Sequence, residues 1–471
     1  MPEAAMIFKT LATLLFIDVS TSRVTRAIKA QYSLLLDRVG GIFGHITRFQ
    51  GDVYLLLEIV MSDLRALELA YESFCAENLS LDMTRGKPSS SQLDLSDEML
   101  NLPGKGKFKD ADGVDCRNYG GVEGLSAMRG IFAEVMDVAA ADVLVGGNSS
   151  LQLMYDTICR HLLFASPGAS SPWGVGKVKF LCPVPGYDRH FSICEIFGIE
   201  MIPVPMNGEG PQMEVVERLV AEDAAIKGIW CVPKYSNPSG VTYTDDVVRA
   251  LAIMKCAAPD FRIFWDNAYA VHMLDGAPAS LLSIKSACEA AGNSERWIQF
   301  SSTSKITLAG GGVSALAASQ ANLKFLLKSI NMQTIGPDKV NQLRHIQFFG
   351  DYSGVLAHMK KHAEILKPKF QIVDCVLNRE LAGSELACWS KPEGGYFISL
   401  DTKPGMARAV VKLASDAGVK LTPAGATFPY GKDPQDSNIR IAPSMPVAKD
   451  LEKATEVLAC CIKLAAARVR E

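Results

Sequence analysis

The stretch RWIQFSSTSKITLAGGG, residues 296–312, contains the features that decide the fold. Its first part, RWIQFSS (296–302), is a short apolar run of the kind that forms buried strands. Lys305 follows at the end of this predicted strand, among small residues. Poor solvation lowers the pKa of a lysine, and a neutral amine can condense with a carbonyl. The alternative interpretation is a solvated surface lysine, as most lysines are.

Similar apolar runs lie on the N-terminal side of this stretch and are separated by segments with helical periodicity. The runs are at 142–145, 177–184, 200–204, 227–233 and 261–267, and the helical segments include 124–136 and 151–164. This alternation predicts an α/β domain with a mostly parallel sheet flanked by helices. The ligands of such a sheet gather at the carboxyl ends of its strands.

The pattern changes after about residue 350, where a smaller α+β domain is expected. Helices are predicted at 358–381, 407–418 and 449–469, and strands at 396–401 and 438–443. With 471 residues, the chain is too long for one compact core. We expect an N-terminal extension (1–60), a segment that contributes to the small domain (61–113), a large domain (114–349) and a small C-terminal domain (350–471).

The first 60 residues leave three interpretations open. The apolar run LATLLFI (11–17), followed by STSRVTR, is typical of an organellar transit peptide. The segment is equally compatible with an extra helical arm, or with an upstream extension of the reading frame that truly starts at Met61. A cytoplasmic location is therefore expected, with organellar targeting as the alternative.

Composition excludes several classes of function. The net charge is −3 and no basic stripe is present, so nucleic acid is not an expected partner. No run reaches the roughly 18 apolar residues that a membrane span needs. None of the 12 cysteines forms a C-x-x-C pair, so no metal site is expected and the cysteines are interpreted as buried free thiols in a reducing compartment.

Polar residues follow two further predicted strands. Asp266, in FWDNAYA (264–270), ends an apolar run; a carboxylate there could keep a pyridine nitrogen protonated, or it could be a loop or helix cap. Tyr269 could offer its hydroxyl to an oxygen on the same ring. Asn237, in YSNPSG (235–240), precedes a proline that fixes a turn and points the amide inward, although a plain turn is the simpler interpretation.

Two more segments indicate anion binding. GGNSSLQL (146–153) is a glycine-rich turn before a helix, where backbone amides and the hydroxyls of Ser149 and Ser150 could hold an anion; an ordinary N-cap is the alternative. Arg440 lies within the apolar run NIRIAP (438–443). A buried guanidinium needs a partner, which could be a ligand carboxylate or an internal salt bridge.

The order of these motifs resembles that of the fold-type I pyridoxal-phosphate enzymes. The motifs are Y-x-x-x-x-G at 119–124, G-N-S-S at 147–150, P-G-Y at 185–187, N-P-S-G at 237–240, D-x-A-Y at 266–269, S-x-S-K at 302–305 and the late Arg440. Phrases such as LDMTRGKPSSSQLDLS and WSKPEGGYFISLD are most similar to class I, subgroup Ic aspartate aminotransferases. The resemblance covers about 61–471 and implies a large domain, 114–349, that binds pyridoxal 5′-phosphate.

The resemblance also implies a role for each matching residue. Lys305 would hold the cofactor as a Schiff base and then move the α-proton. Asp266 would pair with the ring nitrogen and Tyr187 would stack on the ring, while Arg440 would bind the substrate α-carboxylate. The remaining assignments are Asn237 and Tyr269 on the ring hydroxyl oxygen, Asn148, Ser149, Ser150 and Ser302 on the phosphate, Tyr119 on the phosphate of a neighbouring subunit, and Gly86 lining the substrate site. The functional unit would be a homodimer with shared active sites.

One position departs from the pattern of these enzymes. Most place a phosphate-binding arginine about eight residues after the lysine, where this chain has glycine or valine in ITLAGGGVSA (306–315). A lost charge-assisted hydrogen bond is worth roughly 1.5–3 kcal/mol, or about one to two decades of affinity. Backbone amides of the glycine run or another cation, such as Lys234, could compensate.

The expected reaction is a ping-pong transfer of an amino group from an L-amino acid to a 2-oxo acid. Aspartate and 2-oxoglutarate are expected from the resemblance, and five cations could bind the distal carboxylate: Arg85, Lys87, Arg129, Arg189 and Arg344. An aromatic or alanine aminotransferase and a C–S lyase of the same fold are the near alternatives. Two other classes stay open, a transcription regulator with an aminotransferase-like domain and a cofactor-binding protein without catalysis.

Overall fold

The computed structural model describes residues 63–469, so the interpretations of residues 1–60 lie outside the described part. Thirteen strands are formed within this range. They are β1 (Leu81–Asp82), β2 (Val143–Val145), β3 (Lys179–Val184), β4 (Glu200–Asn207), β5 (Gly210–Pro211), β6 (Ile226–Cys231), β7 (Arg262–Asp266), β8 (Trp297–Ser302), β9 (Ser314–Ala318), β10 (Ala387–Trp389), β11 (Ile398–Thr402), β12 (Val419–Lys420) and β13 (Asn438–Ile441).

The central feature is an eight-stranded sheet with the order β2-β9-β8-β7-β6-β3-β4-β5. Its middle strands β4, β3, β6, β7 and β8 pair in parallel, whereas β9 is antiparallel to both of its neighbours. Every residue of β7 and β8 is buried, because helices cover both faces of the sheet. The α/β fold with a mostly parallel sheet is therefore confirmed.

Helices connect and cover these strands. The chain is helical over 63–76, and the further α-helices are Ser90–Asp94, Ser126–Met136, Ser150–Leu163, Asp188–Ile196, Met213–Glu222, Asp245–Ile253, Ile284–Ala290, Gln320–Gln333, Lys339–Phe349, Tyr352–Leu381, Ala407–Asp416 and Ala448–Val469. None of the described helices is long and apolar enough to cross a bilayer.

A second hydrophobic core lies beside the sheet and is built from both ends of the described chain. The antiparallel sheet β10-β11-β13 and the helix Ala448–Val469 contribute to it, together with Met83. Strand β1 pairs in parallel with β12, which attaches the N-terminal segment to the C-terminal region. We therefore propose that the segment before residue 114 shares the small domain with the residues after 350.

The long helix Tyr352–Leu381 joins the two cores. Val355 and Met359, near its start, pack into the core of the large sheet, whereas Phe370 and Leu377 pack into the second core. The sequence predicts residues 358–381 of this helix and misses only its first six residues, 352–357. Strand β9 (SALAA) is not predicted either, because alanine and serine carry none of the β-branched or aromatic side chains that indicate a strand.

Candidate active site

A cleft of about 490 Å³ opens at the carboxyl ends of the parallel strands. Loops that follow β3, β6, β7 and β8 contribute to its walls, as does the N-terminal segment around Gly86. Six of the predicted site residues line it: Gly86, Tyr187, Asn237, Tyr269, Lys305 and Arg440. Parallel strands bring their carboxyl ends to one edge of the sheet, so residues far apart in sequence meet here.

Lys305 lies in a loop whose backbone is fixed by two side-chain hydrogen bonds. The Lys305 carbonyl oxygen accepts hydrogen bonds from His272 Nε2 at 3.3 Å and from the Tyr396 hydroxyl at 3.4 Å. Lys305 Nζ lies 5.0 Å from the centre of the Tyr269 ring. Burial lowers the pKa of Lys305, Asp266 opposes this effect and Arg440 adds to it. The lysine amine is therefore biased toward its neutral, nucleophilic form.

Asp266 ends β7 and is only 3% exposed. Its Oδ2 accepts a hydrogen bond from His190 Nε2 at 3.0 Å, and the His190 ring stacks on Trp230 with centroids 4.3 Å apart. Asp266 Oδ1 is buried and has no hydrogen-bond partner in the described part of the chain. Burying a carboxylate oxygen without a partner is costly, so this atom indicates a position for a ligand donor.

His190 is a site residue that the sequence analysis missed. It follows the predicted Tyr187 by three positions, on the first turn of the helix Asp188–Ile196. The Tyr187 ring meets the His190 ring edge-on, with centroids 4.9 Å apart. The spacing Y-x-x-H was visible, but a histidine is recognised as a partner of Asp266 only when the fold brings the two together.

Arg440, on β13, is 7% exposed and already has several partners. Its Nη1 contacts Asp188 Oδ1 at 2.8 Å and Asn237 Oδ1 at 3.4 Å. Its Nε donates to Thr422 Oγ1 at 3.3 Å, and the guanidinium lies 5.0 Å from the centre of the Phe397 ring. Asp188 was not predicted, although the sequence analysis kept an internal salt bridge as an alternative for this arginine.

The position of Gly86 requires a residue without a side chain. A Cβ atom there would lie 2.5 Å from Cζ of Phe397, the ring on which Arg440 rests. Close approach of the N-terminal segment to this ring therefore depends on glycine. Tyr269 is also enclosed, and burial raises its pKa well above the usual value, with Tyr187 and Asp266 contributing.

The predicted phosphate residues lie where the loop before Lys305 meets the start of the helix Ser150–Leu163. Ser149 caps the helix Ser150–Leu163 by accepting a hydrogen bond from Gln152 N at 3.3 Å, which places Ser150 on its first turn. The Ser302 hydroxyl donates to Ser304 Oγ at 3.2 Å, and Ser304 Oγ donates to the Asn148 carbonyl oxygen at 3.3 Å. Ser304 is an additional hydroxyl that the sequence analysis did not select.

The structure explains why the glycine run carries no arginine. Val313, eight residues after Lys305, is 2% exposed and its side chain packs in the main core. Gly312 packs against the loop, where a Cβ would lie 3.2 Å from the Ser304 amide nitrogen. Lys234 does not line the cleft; burial lowers its pKa and the charge of Asp137 opposes this effect.

Tyr119 lies apart from the cleft of its own chain. Its side chain is 80% exposed. A second segment, around residues 332–339, also exposes large apolar side chains, Met332 (84%) and Ile335 (65%). The two segments touch, because Lys339 Nζ donates to the Gly120 carbonyl oxygen at 2.5 Å. Together they form an exposed surface, which we call the Tyr119 surface.

Two of the cations considered for a distal carboxylate lie elsewhere. Arg129 pairs with Glu123 at 2.8 Å and borders a separate cleft of about 410 Å³. Arg344 donates to the Leu102 carbonyl oxygen at 2.9 Å and to Asn341. Arg85, Lys87 and Arg189 line the cleft that holds Lys305, and within the described residues none of the three forms an ion pair.

Comparison with known proteins agrees with this geometry. A sequence model of the family described as "Aspartate amino-transferase" matches residues 57–471. An aspartate aminotransferase from Corynebacterium glutamicum is 51% identical over 398 residues, which cover 84% of this chain and 92% of that protein. This chain belongs to the aspartate aminotransferase family.

Solved structures of the family have the same fold. The 1.25 Å crystal structure of an aspartate transaminase from Corynebacterium glutamicum matches with a TM-score of 0.86 and 49% identity, covering 88% of this chain and 98% of that one. The α-aminoadipate aminotransferase of Thermus thermophilus matches at 19% identity, with a TM-score of 0.67 and coverage of 83% and 93%, and shows the fold. The chain is a pyridoxal-phosphate-dependent aminotransferase, which acts on amino acids and 2-oxo acids.

The cleft of this family member fits pyridoxal phosphate. The buried Asp266 Oδ1 lacks a partner and can accept a hydrogen bond from a protonated ring nitrogen. Lys305 supplies an amine whose pKa is lowered by burial. The serine cluster at a helix N-terminus provides hydroxyl and amide donors of the kind that bind a phosphate group.

Proposed function

We propose that this aminotransferase transfers the amino group between L-aspartate and 2-oxoglutarate, in a ping-pong reaction at a homodimer. The observation that carries the substrate assignment is the set of cations in the cleft. Besides Arg440, the cleft is lined by Arg85, Lys87 and Arg189, which form no ion pair within residues 63–469. A substrate with two carboxylates can satisfy both Arg440 and one of these cations.

Proton transfer is proposed for Lys305. When bound, pyridoxal phosphate supplies a protonated ring that accepts the electrons released at the substrate α-carbon. The Asp266 carboxylate favours that protonated state by accepting a hydrogen bond at Oδ1. His190 holds the other carboxylate oxygen and so fixes the orientation of Asp266. Lys305 Nζ would take the substrate α-proton and hold it during the transfer, which requires the neutral amine.

The remaining cofactor residues are proposed to position the group. Tyr187 would cover one ring face, and Asn237 and Tyr269 would hydrogen-bond the ring hydroxyl oxygen. Burial raises the pKa of Tyr187, with Asp266 and Asp188 adding to this effect, so its hydroxyl stays protonated. The phosphate would be bound by Asn148, Ser149, Ser150, Ser302 and Ser304, in place of the arginine that most of these enzymes use.

We assign the substrate α-carboxylate to Arg440 and the distal carboxylate to Arg189. Arg189 is the first choice among the three cations because it lines the cleft on the first turn of the helix Asp188–Ile196, next to Tyr187 and Asp188. Its planar guanidinium can bind a carboxylate through two parallel hydrogen bonds, whereas a lysine acts as a point charge. Gly86 also lines the cleft, and a side chain at this position would collide with Phe397.

A homodimer is proposed because of the Tyr119 surface. Three large side chains are exposed on two segments that touch each other, and exposed apolar surface of this kind is typical of an interface. Burying it against a second copy would let Tyr119 reach the phosphate of the neighbouring subunit. A cytoplasmic location stays a prediction.

The near-visible absorption spectrum of the holoenzyme, before and after addition of one amino acid, tests the proposed reaction. L-aspartate alone is expected to convert the bound cofactor fully to its pyridoxamine form, with release of a 2-oxo acid and no ammonia. L-alanine and L-phenylalanine at the same concentration should convert far less. Release of ammonia and pyruvate would instead indicate a lyase, and conversion by phenylalanine in preference to aspartate would contradict the substrate assignment.

The distal carboxylate assignment has its own pair of variants. Arg189→Ala is expected to raise KM for aspartate and 2-oxoglutarate about ten- to hundredfold and to leave KM for alanine nearly unchanged. Arg129→Ala is the matched control, because it removes the same side chain from a separate cleft. If both variants behave like the wild type while Arg85→Ala loses aspartate, the assignment moves from Arg189 to Arg85.

A further inference from the structure

The proposed binding site for the substrate α-carboxylate already contains a carboxylate of the protein itself. Asp188 Oδ1 lies 2.8 Å from Arg440 Nη1, closer than the Asn237 amide oxygen at 3.4 Å or the Thr422 hydroxyl, which is 3.3 Å from Nε. The three contacts use Nε and Nη1, and no contact with the described residues uses Nη2. Asp188 therefore supplies the one negative charge on this guanidinium within residues 63–469.

Asp188 approaches Arg440 from the cleft side. The Asp188 side chain keeps 32% of its exposure, whereas that of Arg440 keeps 7%, and both line the cleft that contains Lys305. Phe397 covers the guanidinium on another side. A substrate that enters the cleft therefore reaches Asp188 together with the arginine.

The backbone of Asp188 is held, but its side chain can exchange partners. Asp188 is the first residue of the helix Asp188–Ile196, and its carbonyl oxygen accepts a hydrogen bond from Ser192 Oγ at 3.1 Å. A carboxylate in the first turn of a helix is favoured by the helix dipole, so it is stabilised there even without the arginine. The partly exposed side chain can turn toward water when another carboxylate takes its place.

A buried guanidinium without a counter-charge is costly, which gives Asp188 a function in the free enzyme. We propose that Asp188 is a built-in competitor for Arg440: it neutralises the arginine when no substrate is present and is displaced by the substrate α-carboxylate. The inference rests on the proposed role of Arg440. Its consequence is that every substrate and product binds more weakly than Arg440 alone would allow, which favours product release.

Asp188→Asn tests the competition because it keeps the shape of the side chain and removes its charge. We expect the variant holoenzyme to bind succinate, a non-reactive dicarboxylate, about tenfold more tightly by isothermal titration calorimetry. KM for aspartate and for alanine should fall by the same factor, because both share the α-carboxylate, and kcat should not rise. An equal fall in KM for aspartate and for alanine separates this role from recognition of the distal carboxylate, which alanine lacks.

Thermal unfolding gives a readout that does not depend on catalysis. Without ligand, Asp188→Asn should melt at a lower temperature than the wild type, since Arg440 loses its counter-charge. Saturating succinate should narrow or close this gap. Asp416→Asn is the matched control: Asp416 pairs with Lys412 at the same 2.8 Å on the helix Ala407–Asp416, outside the cleft, and should leave succinate binding unchanged.

The affinity of the variants for succinate decides whether Asp188 competes for Arg440. Tighter succinate binding by Asp188→Asn supports the inference. Unchanged binding overturns it, because Asp188 would then not compete with the ligand. Weaker binding also overturns it, because Asp188 would then orient Arg440 for the ligand. Arg440→Lys separates the two proposals: if that variant loses succinate while Asp188→Asn is unchanged, only the competition is wrong, and if neither variant changes succinate binding, the role of Arg440 is wrong as well.

Discussion

The two ends of strand β7 carry buried aspartates that differ in one respect. Asp260 precedes the amino end and Asp266 is the last residue, and each is 3% exposed. Both oxygens of Asp260 have partners, Lys227 Nζ at 2.7 Å and Trp173 Nε1 at 2.8 Å. Asp266 has His190 on one oxygen and no partner among the described residues on the other.

Equal burial therefore does not mean equal function. A carboxylate whose hydrogen-bonding capacity is satisfied within the protein stabilises the fold, as we infer for Asp260. A buried carboxylate with one oxygen that accepts no hydrogen bond can accept one from a ligand. The difference follows the topology of the sheet, because ligands of parallel strands bind at the carboxyl ends. The predictions that follow test whether catalysis and stability separate in the same way.

The largest effect is expected for Lys305→Ala. Lys305 lies at the carboxyl-end edge of the sheet and provides the amine that moves the α-proton, so its removal should lower kcat by on the order of 10⁴-fold. The fold should be unaffected, since the side chain forms no salt bridge with the described residues. Transamination rates together with the sedimentation behaviour of the purified variant check both parts. Substantial residual turnover would contradict the role of Lys305.

Asp266→Asn is expected to have the next largest effect. The amide keeps the size of the side chain but cannot stabilise a protonated ring nitrogen, so kcat should fall about 10²–10³-fold. The free energy of unfolding of the apoprotein should change little, because the amide oxygen can still accept the hydrogen bond from His190 and Oδ1 has no partner to lose. Single-turnover rates with aspartate and urea denaturation of the apoprotein measure the two quantities.

Asp260→Asn is the counterpart at the other end of the strand. It breaks the charge-assisted contact with Lys227, so the free energy of unfolding should fall by about 1–3 kcal/mol. The kcat of the folded holoenzyme should stay within about twofold of the wild type, since Asp260 does not line the cleft. If Asp260→Asn abolished turnover at full stability, the division between the two ends of β7 would be wrong.

The positions of Lys305, Asp266 and Asn237 were predictable because each ends or follows an apolar run. Such runs mark buried strands, and the carboxyl ends of parallel strands must meet at one edge. The sequence therefore predicts that residues far apart in the chain lie at one edge of the sheet. Arg440 lies instead on β13 of the antiparallel sheet, and only the resemblance implied its place beside them. Their roles stay proposals.

The partners of these residues were not predictable in the same way. His190 and Asp188 lie on the first turn of a helix after β3, and nothing in the local pattern tells which strand end they face. Ser304 was passed over for Ser302, although the two hydroxyls are 3.2 Å apart. Side-chain contacts of this kind depend on tertiary packing. The choice of Arg189 over Arg129 likewise required knowledge of which cation borders which cleft.

Arg440→Lys extends the comparison from Asp266 to the proposed binding site for the substrate α-carboxylate. Lysine keeps the charge but loses the planar fork that binds a carboxylate through two hydrogen bonds. We expect KM for aspartate to rise about ten- to hundredfold, with a smaller change in kcat. Steady-state kinetics over a range of aspartate concentrations separates the two constants. An unchanged KM would show that the α-carboxylate binds elsewhere.

The smallest effect is expected for Ser304→Ala, at the proposed phosphate site. Ser304 Oγ links Ser302 to the Asn148 carbonyl oxygen, so its loss removes one neutral donor and loosens the cluster. One neutral hydrogen bond contributes about 1 kcal/mol, which predicts cofactor binding about fivefold weaker. Fluorescence titration of the apoenzyme with pyridoxal phosphate measures this affinity, and Ser384→Ala, which removes a neutral hydrogen bond to the Leu381 carbonyl oxygen away from the cleft, is the control. A loss of a hundredfold or more would mean that Ser304 does the work of the missing arginine, while no loss would place the phosphate away from this serine cluster.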